Sequence, residues 1–134
     1  MSTDALFCSL SSPRIADLIR SARQAVCYAA PGIQSEVAQA MVETAGRLGQ
    51  EMLTVCLDFD ERVMRMGYGE IGAVKLLRDA GIVVRSAPGL RTALVIADNA
   101  GFIFTPTALY LEADPASSAA PNAIRMSGEQ VAEA

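Results

Sequence analysis

The chain has no histidine and no tryptophan among its 134 residues. Without histidine it lacks the usual general base, the Ser/His and Cys/His dyads and the commonest transition-metal ligand. Three tyrosines and four phenylalanines are too few for a platform of stacked bases. Basic residues are outnumbered, 11 against 15 acidic, for a net charge of -4. That balance argues against nonspecific attraction to nucleic acid or to an anionic membrane, although it leaves room for a local basic face. No apolar run approaches the roughly 20 residues needed to span a bilayer. The N-terminus carries no basic stretch followed by a hydrophobic segment, so no signal peptide is expected and the cytoplasm is the expected location.

What is present is globular. Half of the chain is hydrophobic (51%) and 19% is charged, which suits one domain large enough to bury a core. Of three cysteines, Cys27 and Cys56 sit inside apolar runs. Buried, reduced thiols are expected there rather than metal ligands or a redox pair. No metal and no cofactor is expected.

The pattern along the chain alternates helices and strands. Residues 1–11 carry few signals and lead into the first helix. Ser12 as N-cap with Pro13 at the first helical position opens that helix, and Ile15, Leu18, Ile19 and Ala22 share one face. Gln24 to Ala29 reads as a buried strand stopped by Pro31 and Gly32. Ser35 to Leu48 is a second helix striped by Val37, Met41 and Leu48, with Gly49 as a left-handed C-cap. Met52 to Leu57 is an apolar strand ending at Asp58. A polar stretch, Asp60 to Arg65, precedes Gly67-Tyr68-Gly69, and a helix then runs to Ala80 with Ala73, Leu76, Leu77 and Ala80 inward and Gly81 closing it. Ile82 to Arg85 and Arg91 to Ala97 are further strands. A turn at Asp98 to Gly101 returns the chain as Phe102 to Thr105. Strands joined through helices must run parallel, with right-handed crossovers, and the last strands pair antiparallel. The expected fold class is therefore α/β, a mixed and mostly parallel sheet flanked by helices. Residues 1–112 form this domain. Residues 113–126, rich in Ala, Ser and Pro, are linker-like. Residues 127–134 begin a helix, because Ser127 and Gln130 have the capping-box spacing. A helix that starts four residues before the end suggests a piece of a longer chain, with a frayed tail as the other reading.

Several residues have the chemistry of a binding site. Gly67-Tyr68-Gly69-Glu70-Ile71-Gly72 fits GxGxxG and opens a helix, where backbone N–H groups hold phosphate. The dinucleotide fingerprint needs a strand directly before the first glycine, and Phe59 to Met66 intervene, which favours a glycine-rich turn. Asp58 ends a presumed parallel strand, where open α/β sheets bind ligands. With Asp60 and Glu61 it is acidic enough to suggest a hard-cation site, yet no second acidic cluster accompanies it. Arg91, Arg85 and Arg65 could form an anion-binding patch; the alternative is ordinary surface arginines, some paired with Asp58, Asp60 or Glu61.

The order of elements and three local phrases carry a family resemblance. Val26-Cys27-Tyr28-Ala29-Ala30-Pro31-Gly32-Ile33 resembles the first strand and turn of the phospholipase D-like superfamily. Leu53-Thr54-Val55-Cys56-Leu57-Asp58-Phe59-Asp60-Glu61 resembles its second strand, and Leu76 to Arg85 the helix and strand leading to its signature. The resemblance covers roughly residues 12–112 and lies in pattern rather than identity. The family signature is HxKxxxxD, with the histidine as nucleophile on a phosphodiester. Placing its aspartate on Asp98 puts Arg91 at the histidine position and Ala93 at the lysine position. A guanidinium stays protonated and cannot attack phosphorus, so the covalent route is closed. The family builds its site from two halves, so the resemblance implies a homodimer or a second half elsewhere.

Together these readings point to a noncatalytic phospholipase D-like domain for dimerisation and binding, of a phosphate-bearing ligand or nucleic acid, in a regulatory role. No catalytic residue is expected. The candidate ligand-binding residues are Arg91, Asp98, Asp58, Arg65, Tyr68, Gly69 and Thr105. The alternative is the N-terminal half of a phospholipase D-type phosphodiesterase whose catalytic half lies outside this chain.

Overall fold

Serine before proline starts the first helix, but one residue earlier than the spacing suggests. The computed structural model describes residues 7–8, 10–58, 71–105 and 123–133. In it the N-cap of α1 (Ser12–Arg20) is Ser11, whose hydroxyl accepts from the Arg14 N–H, and Pro13 lies within the first turn. Proline tolerates that place because its missing N–H would have no intrahelical partner. The chain then forms β2 (Val26–Ala30), α2 (Ser35–Leu48), a 3₁₀ turn (Gln50–Met52), β3 (Leu53–Leu57), α3 (Ile71–Asp79) and β4 (Val84–Ser86). It continues through β5 (Ala93–Ala97), β6 (Ala100–Phe104), β7 (Ala123–Arg125) and α4 (Gly128–Glu133); a two-residue β1 (Phe7–Cys8) precedes α1. The bounds of α2 coincide with those read from its periodicity. Gly49 ends it at φ 98, ψ 140, which is not the left-handed helical conformation that the sequence suggests.

All seven strands join one sheet, in the order β1-β7-β6-β5-β2-β3-β4. The architecture is the α/β mixed sheet expected, but its balance differs. Among the described residues only β2–β3 and β3–β4 are parallel, while β2–β5, β5–β6, β6–β7 and β1–β7 are antiparallel. The cause lies in β1 and β7, which extend the antiparallel half. Phe7 faces Ile124 and Cys8 faces Ala123, and Ala123 faces Phe104 in turn. Ala123–Arg125 is therefore sheet, inside the segment 113–126 that composition marks as linker-like. The capping box at the start of α4 forms as its spacing predicts: Ser127 N–H donates to Gln130 Oε1 at 2.8 Å, and Gln130 N–H to Ser127 Oγ at 3.2 Å.

Alternation along the strands divides the sheet into two faces. Val26, Tyr28, Ala30, Leu53, Val55, Leu57, Val95, Phe102 and Phe104 bury against Ile15, Ile19, Val37, Met41, Ala73 and Leu77 of α1–α3. Each large side chain so buried is worth about 1.5–3 kcal/mol, so this layer holds the domain together. In α3, Val74 turns inward and Leu76 is 37% exposed, the reverse of the periodic reading. The inward face of that short helix is narrower than the stripe assumed.

The other face carries Cys27, Ala29, Cys56, Leu94, Ile96, Ile103 and Ile124. Here α4 rests over Gly101, where an added Cβ would come within 2.8 Å of Val131 and 2.9 Å of Met126. Because the helices α1–α3 lie on the opposite side, Cys27 and Cys56 are half-buried rather than buried. Burial pushes the Cys27 thiol up, and the neighbouring Cys56 adds to the shift. Among the described residues no helix is long and apolar enough to cross a membrane, and no group of three or more His, Cys, Asp or Glu is placed to hold a metal ion.

Candidate functional site

Parallel pairing brings the C-terminal ends of β2, β3 and β4 to one edge of the sheet. Three backbone contacts join the residues at those ends. Asp58 N–H donates to the Pro31 carbonyl at 3.3 Å, Ala87 N–H to the Leu57 carbonyl at 2.7 Å, and Leu90 N–H to the Ala87 carbonyl at 3.2 Å. Below them Tyr28 donates its hydroxyl to the Gly32 carbonyl at 3.1 Å. Complete burial raises the Tyr28 pKa far above its ordinary value, so this phenol stays a hydrogen-bond donor at any physiological pH.

Asp58 is the centre of the edge. It is 3% exposed, and a buried carboxylate needs partners. Its Oδ2 accepts from Arg91 Nη1 at 2.8 Å and from the Gly89 N–H at 3.0 Å. Gly89 turns through φ 79, a conformation that glycine adopts without strain, and this aims its N–H at the carboxylate. The pair is unequal: the Asp58 side chain is 4% exposed and that of Arg91 54%. Arg91 uses Nη1 a second time, on the Leu90 carbonyl at 2.9 Å. Among the described residues its Nε and Nη2 make no hydrogen bond, so the guanidinium is anchored through Nη1 on a side chain that is half-exposed.

The other candidates separate into three groups. Thr105 follows Phe104, the partner of Ala93, so it stands at this same edge and is exposed. Arg65, Tyr68 and Gly69 lie outside the described residues, as does the GxGxxG stretch up to Glu70. Asp98 is at the opposite edge, separated from Arg91 by the length of β5, about 17 Å for five residues of strand. Arg85 lies on β4 opposite Cys56, on the face away from α1–α3.

Asp98 has a task of its own at that far edge. Its Oδ1 accepts from the N–H groups of Gln24 at 2.7 Å and Ala25 at 3.1 Å, and Oδ2 from Arg23 at 2.9 Å. Its own N–H donates to the Ala25 carbonyl at 2.9 Å. Slight burial pushes its carboxyl up, but the backbone donors of Arg23, Ala25 and Gln24, with the nearby Arg23 charge, outweigh that and hold it below the usual carboxylate range. The residue aligned with the signature aspartate thus ties the β5–β6 turn to the entry of β2. Sequence reasoning explained Asp98 by turn propensity, and φ 55 agrees; its partners 73 to 75 residues away left no local signal. Nothing in the sequence analysis points to the Gly89 donor, although the dipeptide Pro88-Gly89 between two strands has turn composition.

No family model matches the chain, and no curated protein does. Among solved structures, TrmBL2, described as an archaeal chromatin protein whose structure shows a novel mode of DNA binding, matches 96% of this chain with a TM-score of 0.53 and 10% sequence identity. This chain spans 46% of that one. At such identity the likeness is one of fold.

Proposed function

We propose that this chain is a noncatalytic phospholipase D-like domain that binds a phosphate-bearing ligand at the Asp58–Arg91 edge and acts as a dimer in a regulatory setting. The observation that carries this reading is the half-engaged fork of Arg91, seated on a buried carboxylate at the C-terminal ends of parallel strands. Open α/β sheets bind ligands at such ends, and arginine recognises phosphoryl oxygens through paired N–H groups. The absence of histidine and the arginine at the signature's nucleophile position support binding without turnover. Nucleic acid is a further candidate ligand, and the occurrence of a similar fold in a DNA-binding chromatin protein is compatible with it.

The test is a titration followed by amide NMR, with inorganic phosphate and a mononucleotide as probes. Saturable shifts at Gly89, Leu90 and Arg91 that vanish in Arg91→Ala support the reading, while no shift at millimolar probe overturns it. Sedimentation of the same sample decides the dimer. The second reading, half of a phosphodiesterase, is favoured by the presence of one such edge where the family assembles two. An HxKxxxxD stretch in the adjoining sequence would support it, and its absence would exclude it.

A further inference from the structure

Asp58 holds Arg91 in place, and it also reshapes the field that an incoming anion meets. Its carboxylate lies 2.8 Å from Arg91 Nη1, so at longer range it offsets part of the arginine's charge. A cation offset in this way attracts weakly at a distance and discriminates by contact. What remains for recognition is directional: the Nε and Nη2 of a half-exposed guanidinium whose orientation the buried carboxylate and the Leu90 carbonyl fix. Several cations elsewhere are likewise engaged within the fold. Arg20 meets Glu43 at 3.0 Å and Asp17 at 3.8 Å, and Lys75 meets Asp79 at 3.1 Å. Arg47 donates to the Ala22 and Arg20 carbonyls at 2.9 and 2.7 Å. Polyanion binding draws on a stripe of uncompensated cations, each releasing counterions, and the carboxylate partners of Arg20 and Lys75 withdraw those two from such a stripe.

From this we propose that the Asp58–Arg91 edge selects a small ligand bearing one oxyanion group of low charge, not a polyanion such as nucleic acid, and that Asp58 is the positioning residue that sets this preference. The inference rests on the anion-binding reading above.

Three probes test it on the intact chain: dimethyl phosphate with one charge, inorganic phosphate, and a ten-residue oligothymidylate, each titrated by NMR at several salt concentrations. The expected result is affinities for the first two within about three-fold, no more than about three-fold gain for the oligonucleotide, and a slope of log K against log salt shallower than about -1. In Asp58→Asn, which removes the offsetting charge, oligonucleotide affinity at low salt rises at least about five-fold and the slope steepens, while dimethyl phosphate, which depends on the orientation that the carboxylate fixes, binds no tighter. Circular dichroism confirms that the variant folds; if it does not, the wild-type series decides alone. An oligonucleotide binding more than about 30-fold tighter than dimethyl phosphate, with a slope near -3 or steeper, overturns this inference and leaves the binding reading intact. Failure of every probe to bind overturns both.

Discussion

Asp98 makes the most demanding test of the physical reasoning, because two kinds of cost, lost hydrogen bonds and backbone strain, meet in one residue. Replacing it by alanine removes three hydrogen bonds to a carboxylate, from Arg23, Gln24 and Ala25. Bonds to charged groups are nominally worth about 1.5–3 kcal/mol, but Arg23 and Gln24 are exposed and water replaces the lost acceptor, so about 0.5–1 kcal/mol each is appropriate, with about 1.5 for half-buried Ala25. Alanine must also adopt φ 55, a left-handed conformation that costs a residue with a Cβ about 1 kcal/mol. Asp98→Ala should therefore lose about 3.5–4.5 kcal/mol, and Asp98→Gly about 1 kcal/mol less because the strain term disappears. Asparagine tolerates the backbone and keeps one oxygen for Gln24 and Ala25, but its NH₂ opposes the Arg23 N–H, giving a loss of about 1–2 kcal/mol. The assay is urea denaturation followed by circular dichroism, comparing midpoints at constant slope. The order of stability should be wild type, Asn, Gly, Ala. Alanine within about 0.5 kcal/mol of wild type would refute the account, and equality of Gly and Ala would remove its strain component.

The same contacts set a pH dependence. Asp98 titrates lower in the folded than in the unfolded chain, so its contribution is present above the unfolded value of about 3.9 and is lost as pH falls through the lowered folded value; the stability gap between wild type and Asp98→Asn should shrink between pH 5 and pH 2. Gly101→Ala forces its Cβ against Val131 and Met126, and because α4 is short and peripheral the effect should be local, with faster amide exchange over residues 128–133 and a global change under about 1 kcal/mol. Arg47→Ala removes the donors to the Arg20 carbonyl, which ends α1, and to the Ala22 carbonyl just beyond it and should cost about 1–2 kcal/mol, with Arg47→Lys intermediate because it keeps the charge but not the fork.

Much of the frame was legible. Residues 35–48 gave a helix to the residue because polar and apolar positions alternate at helical spacing between Gln34 and Gly49, and the Ser127–Gln130 pair announced its own cap. The parallel half followed from helices separating its strands. By contrast, Phe7–Cys8 and Ala123–Arg125 are too short to carry a period. They are strands only because each completes the other against β6, a pairing that spans nearly the whole chain. The exchange of Leu76 for Val74 has a similar cause, since which side of a nine-residue helix faces inward depends on what it packs upon. At the site, Asp58 and Arg91 were each visible, and their pairing was one of two readings left open. Their 33-residue separation hides a contact that arises because the ends of β3 and β4 lie side by side.

The central position of β2 bears on how the chain assembles. Val26 pairs with Leu53, 27 residues on, and with Ala97, 71 residues on. Closing the longer loop costs about 0.9 kcal/mol more in chain entropy, from (3/2)RT ln(71/27). The β5–β6 hairpin needs no such closure, since two residues turn it. The economical route therefore forms the β2–α2–β3 unit and the hairpin separately and docks them afterwards along one seam. The Asp98 carboxylate sits at the end of that seam and grips three amides of the other partner, acting as a latch on a junction between two separately formed halves.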